Sequence, residues 1–331
     1  MTENKKDIIC EKTVEELQVP VDKNQRIKNL LLENFPIIGL VIIIAFFAVV
    51  TGGKLFTPYN LKSIAGQMFL YILGGFGCLF LFAQGGIDLS MAANIGLSAI
   101  LGARVMQVNI PLGIGVTILV GTAVGVIMGL IYAYADIPVF IQGLAMNFLL
   151  NGLLWPLSAG ASSIPSPSPV LALKSNIGEL LIVLVTLAIT LVVYNYTKFG
   201  KECRAIGAGI TSSIQSGVNV HRCKIMAFVI TGFVCGLVAF LTLVRTGAAS
   251  QTTGASFNFN VMLCLVLGGC VMGGGAGVKV RNALVGAATL IVLQNGLVLW
   301  GANVRVQDIV KGILFILMIV ATNKLSGKIQ K

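Results

Sequence analysis

The chain has 331 residues, 56% of them hydrophobic and only 11% charged, with a formal net charge of +11. Such a composition excludes a soluble globular domain and predicts an all-α integral membrane protein, because its apolar stretches approach the ~20 residues that a helix needs to cross about 30 Å of hydrocarbon. The stretches do not alternate apolar with polar residues, which excludes a β-barrel, and seven scattered cysteines with a single histidine exclude a disulfide framework, a metal centre and a Ser-His-Asp arrangement.

Residues 1–33 carry seven acids and six bases. This is a polar tail, assigned to residues 1–35, too charged to be the apolar region of a cleaved signal peptide and expected on the cytoplasmic side. Beyond residue 33 the only acids are Asp88, Asp136, Glu179, Glu202 and Asp308, so the chain has no acidic stripe for a cation and no proton relay. Apolar runs then predict about ten membrane-spanning helices, at 36–52, 62–82, 90–107, 111–134, 139–157, 177–195, 225–244, 259–273, 282–300 and 306–322. They form one transmembrane domain, residues 36–323, followed by a cytoplasmic tail at 324–331.

Between the second and third runs, AQGGIDLSMAA at 83–93 sets Asp88 beside Gly85, Gly86 and Ser90. An ionisable side chain in hydrocarbon is a functional candidate; the alternative is a helix start with Asp88 or Ser90 as N-cap and the two glycines as the turn. In the fourth run Gly121, Gly125 and Gly129 fall four apart on one helix face, and Gly232 and Gly236 repeat that spacing. Small-residue faces of this kind let helices pack closely in a membrane. The loop 196–224 is long and basic; TSSIQSGVN within it predicts a short helix with Thr211 or Ser212 as N-cap, Ile214 and Val218 on one side, and Gly217 near its end. Its apolar face either docks on a soluble partner or lies on lipid. Cys203 and Cys223 flank it and are expected to be open to thiol reagents. GGGAGVKV at 273–280 lacks the Walker A spacing, and His221 reads as a solvated loop residue.

The bases set the orientation. Six lie in the tail, five in the loop (Lys198, Lys201, Arg204, Arg222, Lys224), two at Lys279 and Arg281, and three beyond residue 323, so sixteen of twenty-three fall on the side of the tail if the crossings number ten. By the positive-inside rule both termini are then cytoplasmic.

Three stretches together resemble the membrane subunits of bacterial ABC importers for monosaccharides, the ribose, xylose and galactose-type permeases. They are GGIDLS at 85–90, TKFGKECRAIGAGITSSIQSGVNV at 197–220, and LGGCVMGGGAG at 267–277 with LQNGL at 293–297. The resemblance implies a type II, cobalamin-importer-like permease fold in the bacterial cytoplasmic membrane, a two-copy pore, ATP-binding subunits docked on the cytoplasmic loops and an external solute-binding protein. It implies no enzyme and no cofactor bound by this chain, ATP and magnesium being used by the partner, and no nucleic-acid partner. The chain departs from the family at Met91-Ala92-Ala93 and in the uncharged ASFNFNVML at 255–263, which leaves homodimer and heterodimer open.

On this reading Asp88 and Ser90 lead the candidates for the substrate pathway, with Gln84, Asn94, Asn147, Asn258 and Asn260, and further Asn151 and Asn295, as polar residues that either join it or bond helix to helix. Gly207, Ile214, Ser216, Gly217 and Val218 are the candidates for coupling to the ATPase. The alternatives are a permease for a nucleoside, an autoinducer or a branched-chain amino acid, and, from another class, an autonomous secondary transporter.

Overall fold

The computed structural model describes residues 34–135, 137–174 and 176–329; the tail at 1–33 and Asp136 lie outside them. Each of the ten apolar runs contains a helix. α1 (Phe35–Val50) is followed by a 3-10 turn at Lys54–Phe56, then α2 (Pro58–Ala83), α3 (Met91–Met106), α4 (Ile110–Tyr134) and α5 (Val139–Leu157). A short β1 (Ser163–Pro165) and α6 (Ser168–Ala172) lead to α7 (Asn176–Tyr196). The loop then folds as α8 (Lys198–Ala208) and α9 (Ile210–Gln215), before α10 (Val220–Thr246), β2 (Ala248–Ser250), α11 (Phe257–Leu267), α12 (Val280–Leu299) and α13 (Val304–Ile329).

Local chemistry sets several of these boundaries. α2 opens on Pro58, whose missing N–H would have no helical acceptor in the first turn. Asn109 caps α4 by accepting the Leu112 N–H at 3.1 Å, and Asn219 caps α10 through the Arg222 N–H at 3.1 Å. The run 259–273 is cut short: α11 has 11 residues, about 16 Å at 1.5 Å per residue, half the hydrocarbon thickness. Two glycines stop it. Gly269 turns the chain at φ +94, and Gly268 lies so close to the Asn282 carbonyl that no Cβ fits. α13, by contrast, runs on to Ile329 through most of the segment assigned as a tail.

Six helices among the described residues are long and apolar enough to cross a membrane: α2, α4, α5, α7, α10 and α12. Their burial differs. In the most apolar part of α2, α10 and α12, 67% of residues are buried, against 33%, 28% and 22% for α4, α5 and α7, so the first three form the interior and the others turn most of their apolar surface outward. At one end of the bundle Pro36 packs on Gly269 and the Tyr194 hydroxyl donates to the Val278 carbonyl at 2.6 Å. At the other end β1 and β2 pair antiparallel, with Ile164 opposite Ala249. There Arg245 reaches Glu179 at 2.9 Å, over Gly66, where a Cβ would stand 2.5 Å from the guanidinium.

The tightest seam joins α4 to α10. A Cβ on Gly121 would stand 2.6 Å from the Gly236 nitrogen, one on Gly125 2.9 Å from the Gly232 Cα, and one on Gly129 2.9 Å from the Ile225 Cα. The backbones touch, which only glycine allows. Overpacking a core by added methylenes costs about 1–3 kcal/mol, and more where backbone must move. Gly125→Leu should therefore lower the thermal midpoint and folded yield of the purified protein, whereas Gly115→Leu on the same helix, which meets nothing within 4 Å, should leave both near wild type. Equal midpoints for the two variants would contradict this packing.

Candidate functional site

The link between α2 and α3 is buried yet not helical. α2 ends where Gly85 takes φ +84, and the Phe82 carbonyl accepts the Gly85 N–H at 3.0 Å and the Gly275 N–H at 3.1 Å. The glycine-rich loop after α11 thus covers the end of α2, and Gly86 next to it packs on Leu81 and Val139. Asp88, 5% exposed, then accepts both the N–H and the hydroxyl of Ser90 through Oδ1, each at 2.7 Å. This is an Asx turn. Ser90 occupies the N-cap position of α3 without making a side-chain cap bond, because its hydroxyl is committed to Asp88. Neither residue is a conventional cap; together they fix the turn that starts α3.

The next carbonyl holds the junction to two other helices. Leu89 O accepts Asn147 Nδ2 from α5 at 2.6 Å and Asn258 Nδ2 from α11 at 3.0 Å. α5 approaches this closely because Gly143 has no side chain: a Cβ there would stand 2.8 Å from the Leu89 nitrogen and 3.4 Å from the Asp88 carboxylate. Asn151 extends the network by donating to the Asn147 side chain. Beside these amides lies a cavity of about 250 Å³ bounded by Asn147, Asn151, Gln251, Thr253, Ser256 and Asn258. Among the described residues that line it none is charged. Its surface offers amide and hydroxyl groups that can both donate and accept.

The other pathway candidates do not line this cavity, Asp88 and Ser90 included, whose polar groups are engaged in the turn beside it. Asn94 donates to the Gly121 carbonyl at 3.2 Å and accepts from Ser98, tying α3 to α4. Asn260 donates to the Tyr71 hydroxyl at 3.2 Å, tying α11 to α2. Asn295 lines a separate cavity at the β1–β2 end. Gln84 points to the opposite end, where it donates to Cys203 Sγ at 3.2 Å and to the Cys223 carbonyl at 3.1 Å. Sequence reasoning missed the turn 251–256, which supplies Gln251, Thr253 and Ser256 to the cavity. Its signal was a run of small polar residues with a glycine, between two apolar runs. Gly254, at φ +84, enters against the Ala92 carbonyl, where a Cβ would stand 2.5 Å away.

The loop 196–224 departs from expectation in three respects. Most of its first half is helical: Thr197 caps α8 through the Gly200 N–H, and Cys203 and Ile206 are buried beneath it. The short helix α9 starts one residue earlier than Thr211, with Gly209 as its cap residue, because Ser212 and Ser213 both donate their hydroxyls back to the Gly209 carbonyl, at 3.0 and 2.8 Å. Val218 lies beyond α9 and packs with Ile206 and Cys223, leaving Ile210 and Ile214, 46% and 59% exposed, as the apolar pair on α9. Ser216 is exposed and ends α9, and Gly217 turns the chain at φ +78. Gly207 sits against the Ala83 carbonyl and Gly275, with 2.9 Å from a Cβ to the Gly275 Cα. The loop, the end of α2 and the glycine-rich loop therefore meet at one point. His221 is exposed, as expected, and stands in the first turn of α10 with its Nδ1 2.6 Å from the Ala133 carbonyl.

Two tests follow from this geometry. Asp88→Asn keeps an acceptor oxygen for Ser90 and should cost about 1 kcal/mol or less, whereas Asp88→Leu leaves a buried N–H without a partner and should cost about 1–3 kcal/mol; thermal midpoints of the purified variants separate the two, and equal losses would contradict the Asx turn. Cys203 and Cys223 are buried at 0% and 1% exposure, a correction to their expected accessibility, and burial pushes the Cys203 thiol up to about 12. A maleimide at pH 7 should label neither before denaturation. Rapid labelling of the folded protein would show the α8 contact to be open.

Comparison with known proteins agrees with this architecture. The family model described as branched-chain amino acid transport system / permease component matches residues 60–319. The ribose import permease protein of Haemophilus influenzae is 27% identical over 316 residues, covering 92% of this chain and 97% of the relative. The fructose import permease protein of Rhizobium meliloti is 28% identical over 300 residues, covering 86% and 83%, and the galactose/methyl galactoside import permease protein of Escherichia coli is 27% identical over 283 residues, covering 78% and 84%. No solved structure matches the chain. With the family match spanning all but the ends of the membrane domain, the chain belongs to the branched-chain amino acid transport system / permease component family.

Proposed function

We propose that this chain is the transmembrane subunit of an ATP-driven importer for a monosaccharide, with hydrolysis carried out by a separate ATP-binding subunit. The observation that carries the reading is the cavity beside Leu89, lined by amides and hydroxyls and by no charged group among the described residues. A neutral polyol finds donors and acceptors there. An amino acid, the substrate class in the family's description, brings an ammonium and a carboxylate that would meet no counter-charge in that lining, and an unpaired charge is costly to desolvate. The sugars named for the relatives from Haemophilus, Rhizobium and Escherichia support the same class.

The coupling role belongs to α8 and α9. The exposed pair Ile210 and Ile214 gives a cytoplasmic ATP-binding subunit an apolar foothold, and Gly207 rests on the end of α2, from which the chain passes directly into the Asp88 turn and the cavity. In the assembly we place two copies of this or a related chain in the inner membrane, an external solute-binding protein at the β1–β2 end, and a type II arrangement of about ten crossings. Both termini are cytoplasmic in this reading. The packing of Pro36 beside the glycine-rich loop, at the same end as α8 and α9, supports that orientation, as does the concentration of bases there.

Reconstitution into proteoliposomes with a cognate ATP-binding subunit and solute-binding protein tests the proposal. ATP-dependent accumulation of one of ribose, xylose, galactose or fructose is expected, with none of leucine or adenosine. Accumulation of leucine, or equilibration of sugar without ATP, would overturn it. In the same assay Gly217→Pro, which cannot hold φ +78, and Ile214→Asp should each cut uptake by tenfold or more while the solute-binding protein ceases to stimulate ATPase activity. Wild-type uptake by both would remove the loop from the coupling path.

A further inference from the structure

One buried side chain joins the coupling helix to the link that carries Asp88. Gln84 directly follows α2 and, at 8% exposure, turns its amide away from the cavity beside Leu89. Its Nε2 donates to Cys203 Sγ on α8 at 3.2 Å and to the Cys223 carbonyl in the first turn of α10 at 3.1 Å. Its Oε1 is buried as well and accepts nothing, so the amide is held by its nitrogen alone. Asp88 and Ser90, the other polar side chains of the link, bond to each other and not to α8.

The two holds on Gln84 differ in strength. A thiol sulfur is a weak acceptor, whereas a backbone carbonyl is a full one. A further contact between α8 and α10 also runs through sulfur, where the Cys223 thiol donates to Glu202 Oε2 at 3.3 Å. α8 is thus attached by bonds that yield, while α10 is locked to α4 along the glycine seam, backbone against backbone. Gly207 meanwhile sets α8 directly on the Ala83 carbonyl, one residue before Gln84. A shift of α8 therefore bears on the end of α2 through Gly207, and the Cys223 carbonyl holds Gln84 where it is. The peptide groups left to turn are those that follow, from Gly85 at φ +84 to Asp88.

We propose that Gln84 is a positioning residue for transport, the pivot about which a displacement of α8 turns the Asp88 link. The proposal rests on the coupling role given above to α8 and α9; the identity of the solute does not enter it.

Gln142 supplies a matched control. It is 5% exposed, donates Nε2 to the Met128 carbonyl at 2.6 Å and leaves its Oε1 unpaired, but it joins α5 to α4 rather than to α8. The test uses the full chain with Cys10→Ser and Asn151→Cys, which puts a thiol on the wall of the cavity beside Leu89, reconstituted with a cognate ATP-binding subunit. Trapping the ATPase with ATP and vanadate should change the rate at which a small maleimide modifies that thiol by about threefold or more. Gln84→Met should abolish the change, and Gln142→Met should keep it although it loses a buried hydrogen bond of the same kind. Thermal midpoints and basal ATPase activity are measured alongside, since a merely structural role for Gln84 would lower the midpoint and leave the trapping response intact. If Gln84→Met does not assemble, Gln84→Asn, one methylene shorter, decides. A wild-type trapping response in the Gln84 variant, or no response in the parent, overturns the proposal. A response that depends on Gln84 in a complex importing no sugar would sink the monosaccharide reading alone, and sugar import at wild-type rate by the Gln84 variant would sink the pivot alone.

Discussion

Buried backbone that is not helical has to find its hydrogen bonds from whatever packs around it. In this chain that constraint falls on residues 84–90, and the structure is organised to meet it. The Asp88 carboxylate supplies the acceptor for Ser90, two asparagine side chains from distant helices supply donors for Leu89, and the glycine-rich loop supplies the N–H of Gly275 to the end of α2. Without these partners α3 would have to continue from α2 as one helix. With them the chain reverses inside the bundle, and the space left beside the reversal is the polar cavity.

The same junction places the cavity one connection away from the opposite end of the molecule. Gly207 of α8 and Gly275 of the glycine-rich loop both rest on the last carbonyls of α2, so a displacement of α8 bears on the peptide groups that set the Asp88 turn. Close-packed interiors transmit such displacements because they do not deform continuously. The α4–α10 glycine seam plays a complementary part: backbone against backbone, it gives α3 and the cavity a rigid wall against which the junction can move. The Arg245–Glu179 pair, at 2.9 Å and largely out of solvent, ties α7 and α10 together at the other end.

Much of this was legible in the sequence because hydrophobic length is a strong, local signal. Every one of the ten apolar runs contains a helix, and GGIDLS was recognisable as a place where the helix breaks. What was not legible is long-range. Asn147 and Asn258 were singled out as polar residues in apolar runs, but nothing in the sequence says that they converge on one carbonyl, 58 and 169 residues away. Gln84 and Asn94, chosen on the same grounds, serve other contacts. α8 escaped notice because its mixed charged and apolar pattern carries no membrane signal, and its buried side is defined only by the helices above it. The end of α11 was misjudged since Gly268 and Gly269 lie in an apolar run and stop the helix only through their contacts with Asn282 and Pro36.

The account stands on the cavity beside Leu89 being the route of the solute, and substrate protection measures that directly. The described native cysteines are all buried, so with Cys10, which lies outside the described residues, replaced by serine, Asn151→Cys at an exposed position on the cavity wall gives the thiol that a reagent meets there. In the reconstituted complex, a small maleimide should modify it, the transported sugar with its solute-binding protein should slow that modification, and full modification should abolish ATP-dependent uptake. A modification rate indifferent to sugar, with uptake intact after the thiol is fully blocked, would place the route elsewhere.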